Sequence, residues 1–171
     1  MLTTRQAWLL AHIGLGSAFM HGFIGGARAL LDPRHHPELD RARARGAIVM
    51  ATGAWLTVLT GTWGVYAWYR ATPPAGSSSL AYPKAWLIGH AHLAGWHEFG
   101  MEWKEHIGWL APILATTVAV TAIRHRAVLR SDWRPRHLVL ALFSLAFVAA
   151  LVAAALGAAI NKVAPNQFLG S

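Results

Sequence analysis

Residues 138–160 read LVLALFSLAFVAALVAAALGAAI, 23 positions without a single Asp, Glu, Lys or Arg. A helix that is apolar on every face is either enclosed by protein or embedded in lipid, and about 20 such residues cross a hydrocarbon core of roughly 30 Å. Residues 6–27 and 46–69 obey the same rule. A fourth run, 107–123, has 17 residues and reaches spanning length only by extending backwards through Lys104, Glu105 and His106. The reading is a single transmembrane domain with spans at about 6–27, 46–69, 104–123 and 138–160. Its fold class is all-α, a polytopic membrane four-helix bundle. Residues 84–105 then form an interfacial segment, partly helical, on the extracytoplasmic side.

Composition supports this. Of 171 residues, 55% are hydrophobic and 13% charged, against roughly 25% charged in an ordinary soluble domain. The chain has no cysteine, which excludes disulfides, iron–sulfur clusters and thiolate metal sites. A formal charge of +8 would suit nucleic acid, but its placement points elsewhere. Arg28, Arg34, Arg41, Arg43 and Arg45 precede the second span, and Arg124, Arg126, Arg130, Arg134 and Arg136 precede the fourth. Both groups fall on one side of a four-span chain, which the positive-inside rule makes cytoplasmic. Both termini then lie outside, and the partner is a lipid bilayer with no nucleic acid. Trp8, Trp68, Trp86, Trp96, Trp103 and Trp109 fall near the outer boundary and Trp133 near the inner one, as expected of rings that are apolar with one N–H seeking water. The first span reads as a span and not an export signal, because its apolar stretch exceeds the 7–15 residues of a signal core.

The stretch His90-Ala91-His92-Leu93-Ala94-Gly95-Trp96-His97-Glu98-Phe99-Gly100-Met101-Glu102-Trp103-Lys104-Glu105-His106 carries most of the possible chemistry. On a regular helix Glu98, Glu102 and Glu105 share one face, with His106 a turn beyond Glu102. Ionisable groups entering a membrane are costly and are usually paired or functional. The bland alternative is a solvated amphipathic face at headgroup level. It is weaker for Glu105 and His106, which the short third span draws inward. These residues, with the His90/His92 pair, could ligate copper, zinc or iron. No established metal motif is present: His97-Glu98 begins an HExxH pattern, but Met101 occupies the second histidine position. Glu102 to His106 is one residue longer than the spacing of di-iron bundles.

The first span holds His12, roughly 9 Å below its outer end at 1.5 Å per residue, and His21, roughly 22 Å down. His21 shares a stripe of small residues with Gly14, Ser17, Ala18 and Gly25, which suits close helix packing. His12 shares its face with Gly16, which would leave room for the edge of a flat ring. An imidazole in a membrane needs a hydrogen bond to a neighbouring helix or a metal to ligate. His12 and His106, similar in depth, are the candidate axial ligands of a b-type haem, with His97 and His21 in reserve.

The block 97–112, HEFGMEWKEHIGWLAP, resembles stretches of small prokaryotic four-span membrane proteins of uncharacterised activity, and the whole is loosely similar to b-type cytochrome membrane subunits. It departs from the latter in lacking two helices that each carry a well-spaced histidine pair. The resemblance covers the second and third spans and implies no established activity. The spans themselves point to a multi-pass protein of the inner membrane, and the haem reading carries with it electron exchange with a quinone or with other membrane subunits. The residues leave three readings open: a redox protein binding haem b near the extracytoplasmic face, an accessory subunit with no cofactor, and a metal-binding or proton-handling protein using the Glu/His cluster. The arginine asymmetry makes a direct prediction. Reporter fusions at Asp40 and Arg130 should read cytoplasmic and one at Ser77 extracytoplasmic; a cytoplasmic signal at Ser77 would invert the topology.

Overall fold

The computed structural model describes residues 2–34 and 36–164; His35, expected as a solvated loop residue, lies outside them. All regular structure among the described residues is helical. Four helices are long and apolar enough to cross a membrane: α1 (Thr4–Leu31), α2 (Pro37–Arg70), α4 (Ala91–Arg124) and α6 (Trp133–Val163). Two short helices, α3 (Pro83–Gly89) and α5 (Arg126–Ser131), precede α4 and α6 respectively. The helix ends are written locally. Thr3 and Gln6 form a capping box on α1, the Thr3 hydroxyl accepting from the Gln6 amide at 3.2 Å and the Gln6 side chain accepting from the Thr3 amide at 3.0 Å. Asp32 and Pro33 come directly after α1. Pro37 opens α2, where it lacks only a donor that no helix start can use. The Asp132 carboxylate caps α6 through the Arg134 amide at 2.9 Å.

The helices run longer than the apolar runs in the sequence. Residues 91–105, expected as an interfacial segment separate from the third span, are the first four turns of α4. No proline interrupts 91–106, and the two glycines there are absorbed without a break. Only residues 83–89 form a separate short helix, tucked onto the bundle end by the fully buried Leu87.

The long helices pack as a ring in the order α1, α2, α4, α6. The α1–α2 seam is built on glycine. A Cβ on Gly46 would lie 2.4 Å from the Gly26 amide nitrogen, and one on Gly22 the same distance from the Met50 nitrogen. Gly53 admits Phe19, Gly61 admits the His12 ring and Gly64 admits Trp8. As the α2 number rises the α1 number falls, so the helices are antiparallel. The stripe of Gly14 and Gly25 expected to serve this packing faces away, with nothing within 4 Å of a Cβ at either position. The ring closes on α6, where Phe23 stacks on Phe147 at 4.2 Å. The interior holds Phe19, Met50, Val118 and Phe143 among many alanines. Outward faces carry Leu10, Ile13, Ile113, Leu145 and Leu151, all more than half exposed or nearly so, a surface that calls for lipid or another apolar partner.

The arginine-rich end is tied by charge. Asp40 and Arg43, both buried, pair at 3.1 Å, and Arg130 of α5 pairs with the other Asp40 oxygen. Arg43 also donates to the Ala29 carbonyl at 2.8 Å, so α1, α2 and α5 meet on one carboxylate. In the adjoining loop, Arg34 grips Asp32 at 2.5 Å and holds its carboxyl well below the usual carboxylate range.

Gly46→Ala should lower the midpoint of thermal unfolding in detergent by an amount equivalent to about 1–3 kcal/mol, since the added methyl meets backbone that cannot yield. Gly14→Ala should be neutral or stabilising by up to about 1 kcal/mol, the ordinary gain from removing a mid-helix glycine. Equal effects at the two positions would contradict this seam.

Candidate functional site

At the tryptophan-rich end three of the four long helices contribute to one polar cluster and the fourth packs against it. It begins on α1 with His12, half-buried against α2. Its Nδ1 lies 2.9 Å from the Thr57 carbonyl and 3.3 Å from the Thr60 hydroxyl. A carbonyl can only accept, so Nδ1 carries the proton and Nε2 presents the lone pair. The ring fits because Gly61 faces it; a Cβ there would stand 2.9 Å from His12 Cε1.

Thr60 and Gly61 open a π-helical turn in α2, Thr60–Val65, and α4 carries a second one at Trp96–Met101. Such turns insert an extra residue, rotate the remainder of the helix about its axis and are frequent at functional sites. Beyond the first, Tyr66 and Tyr69 stack at 5.6 Å. Beside the second, His97 Nδ1 pairs with the Tyr69 hydroxyl at 2.9 Å. Tyr66 lies within electrostatic reach of Glu105, whose carboxylate oxygen Oε1 is buried with no hydrogen-bond partner among the described residues. Lys104 threads its stem past Gly157 of α6, with Cε 2.9 Å from where a Cβ on that glycine would sit, and lies within electrostatic reach of His12 and Glu105. The cluster thus joins two imidazoles, two phenols, an ammonium and a carboxyl from three helices, with Gly157 of α6 packed against the Lys104 stem.

The structure divides the residues singled out from the sequence. His12, His97 and Glu105 belong to this cluster. Glu98 and Glu102 are exposed, apart from the half-buried Glu105. The expected stripe assumed a regular helix from Glu98 onward, and the π turn at Trp96–Met101 breaks the register between Glu98 and Glu105, while Glu102 follows the turn on the same regular helix as Glu105 and lies to its exposed side. His106 is exposed with Nδ1 bonded at 2.7 Å to the Glu102 carbonyl one turn back. It therefore does not oppose His12. His21 does the same with the Ser17 carbonyl at 2.8 Å, and Gly16 meets nothing within 4 Å. His90 bonds the Trp86 carbonyl at 2.7 Å and meets exposed His92 ring-edge to ring-face at 6.1 Å. No group of three or more His, Cys, Asp or Glu side chains placed to hold a metal ion occurs among the described residues.

Sequence reasoning missed Tyr66, Tyr69 and Lys104 as members of the site, and Asp40, Arg43 and Arg136 as buried charges. An Asp40-x-x-Arg43 spacing in the first turns of a span was a usable signal for the latter. Nothing in the sequence distinguished the two tyrosines from the other aromatics of the boundary. Comparison with protein-family models, curated proteins and solved structures returns no match for this chain.

His12→Ala should destabilise the fold by about 1–3 kcal/mol, by removing the α1–α2 hydrogen bond to the Thr57 carbonyl, which keeps only the Thr60 hydroxyl of its own helix as side-chain partner, and opening space beside Gly61. His21→Ala and His106→Ala, which remove exposed rings bonded within their own helix, should change stability by less than about 0.5 kcal/mol. Thermal unfolding of the three variants checks this, and a neutral His12→Ala would deny the ring its bridging part.

Proposed function

We propose that this chain is a multi-pass membrane protein that takes up and releases protons at its tryptophan-rich, extracytoplasmic end, with Glu105 as the acceptor. One observation carries the reading: a carboxyl oxygen buried without a partner, beside Tyr66 and Lys104, in a bundle otherwise lined by alanine and phenylalanine. Buried ionisable groups are expensive in membrane bundles and mark proton or ion sites. A carboxylate with every lone pair satisfied is locked in its charged form. One with an unmet oxygen has a lone pair free to receive a proton, and a nearby hydroxyl can donate to the carboxylate or accept from the acid. Tyr66, Tyr69 and His97 then extend the hydrogen-bonding groups towards the bundle end. Towards the arginine-rich end the interior is closed by Phe19, Met50, Phe143 and Ala146, none of which can carry a proton. The protein therefore serves one face and does not conduct across the bilayer. A membrane partner whose redox chemistry exchanges protons at that face, such as a quinone-reactive subunit, is the fitting associate.

The tautomer of His12 favours a second reading. With Nδ1–H given to the Thr57 carbonyl, Nε2 is set as a metal ligand in the way histidine ligands are oriented by second partners. In this reading His12 would hold a b-type haem through Nε2, and the group would supply one-electron chemistry there. The visible spectrum of the reduced, purified protein tests it, since haem bands that vanish in His12→Ala support it and a spectrum without them ends it.

For the proton reading, infrared titration of the protein in lipid nanodiscs should show a carboxyl stretching band that changes with pH and disappears in Glu105→Gln, while Glu98→Gln leaves it in place. Proteoliposomes should sustain no proton flux. A titration profile indifferent to Glu105→Gln would leave the accessory, cofactor-free subunit as the better account.

A further inference from the structure

At the opposite, arginine-rich end, a cavity of about 400 Å³ lies between α2 and the α4–α5 corner, with Asp40, Arg41, Ala44, Ile123, Arg126 and Arg130 in its lining. We infer that this cavity binds the phosphate headgroup of an anionic phospholipid, with the acyl chains lying along the apolar groove between α2 and α4. Two independent features point there. The first is charge. Asp40 is already engaged by Arg43 and Arg130. Arg136, buried at 7% exposure, has no carboxylate partner among the described residues, donates to the Asp32 carbonyl at 3.3 Å, and leaves its Nε without any acceptor. Two guanidinium groups therefore share the Asp40 carboxylate, and Arg136, which meets the same Asp32 carbonyl as Arg43, adds a third nearby with no carboxylate partner of its own, a surplus of positive charge at this end. At its rim, Arg126 enters no ion pair among the described residues, and Arg41 has only a 4.0 Å contact with exposed Glu38. Guanidinium groups bind phosphate oxygens in pairs of N–H bonds, which suits this surplus.

The second feature is the cavity's apolar wall. Arg41, Ala44 and Ile48 succeed one another along one face of α2, and Ile123 and Val120 mark the facing part of α4, with Ile48, Val120 and Ile123 all over 40% exposed. A free phosphate has no use for such a wall, whereas a phospholipid uses both parts. Basic pockets between spanning helices on the cytoplasmic side are where anionic headgroups dock. The inference rests on the membrane placement of the chain and is independent of the proton site.

Native mass spectrometry of the detergent-purified chain mixed with phosphatidylglycerol or phosphatidylcholine tests it. Phosphatidylglycerol should be retained in preference, and inorganic phosphate in excess should not displace it. Arg41→Gln and Arg126→Gln should each weaken retention about fivefold, the factor expected for one basic side chain at an anionic surface, with both variants folding because these arginines are exposed. Arg124→Gln, an exposed arginine outside the cavity, should retain lipid as the parent does. Equal retention of the two lipids, or retention unchanged in both cavity variants, would overturn the inference. Displacement by inorganic phosphate would overturn the lipid assignment in favour of a simple anion site.

Discussion

Gly46 sits where α1 and α2 touch, closer than any side chain would allow. A methyl group there would press on the Gly26 nitrogen at 2.4 Å and on its Cα at 2.5 Å. Backbone contact of this kind is the means by which apolar helices associate when lipid offers the same apolar surroundings as a neighbouring helix, so that packing, and not water exclusion, decides the geometry. Every later feature depends on the register so set. Four residues along each helix, Gly22 meets Met50; further on Phe19 meets Gly53, and at the tryptophan-rich end His12 slides over Gly61 to reach the Thr57 carbonyl. A shift of one residue in the seam would turn His12 off that carbonyl.

The two ends of the bundle solve different electrostatic problems. At the arginine-rich end a carboxylate is shared between two guanidinium groups from different helices, and backbone carbonyls of Ala29 and Asp32 take up further donors. Removing one partner from such a group would strand the remaining charges, so the cluster acts as a clasp between α1, α2 and α5. The tryptophan-rich end is less completely satisfied. Thr57 Oγ1 and Glu105 Oε1 are both buried without partners among the described residues, and two π turns face the same region. At the arginine-rich end a single buried atom, Arg136 Nε, stays open among the described residues, against two at the tryptophan-rich end.

The helix count and the unequal charge of the connecting segments are legible from residues alone, because a run of 23 uncharged positions has few other interpretations. Glu105 is legible as well, since a 17-residue apolar run has to draw on it. Glu98 is misplaced by sequence reasoning for a definite reason. Counting 100° per residue from Glu98 to Glu105 assumes a regular helix, and the π turn at Trp96–Met101 inserts a residue between them. The same count turns His106 inward with Glu102 and Glu105; in the structure it lies over its own helix, bonded to the Glu102 carbonyl.

Sequence by itself determined that four long apolar helices form and which end gathers arginine. Those properties are local: hydrocarbon-like composition over about 20 residues and arginine in the connecting segments. Only the tertiary structure decided that Gly22 and Gly26 face a neighbour while Gly14 and Gly25 do not, and that His12 turns inward while His21 turns out. In a water-soluble helix the apolar stripe reveals the buried face. Here the exposed and enclosed faces are both apolar, so helical periodicity carries no sign of which way a residue points. Rotation of each helix is fixed by close contact with the others, and that contact exists only in the assembled bundle.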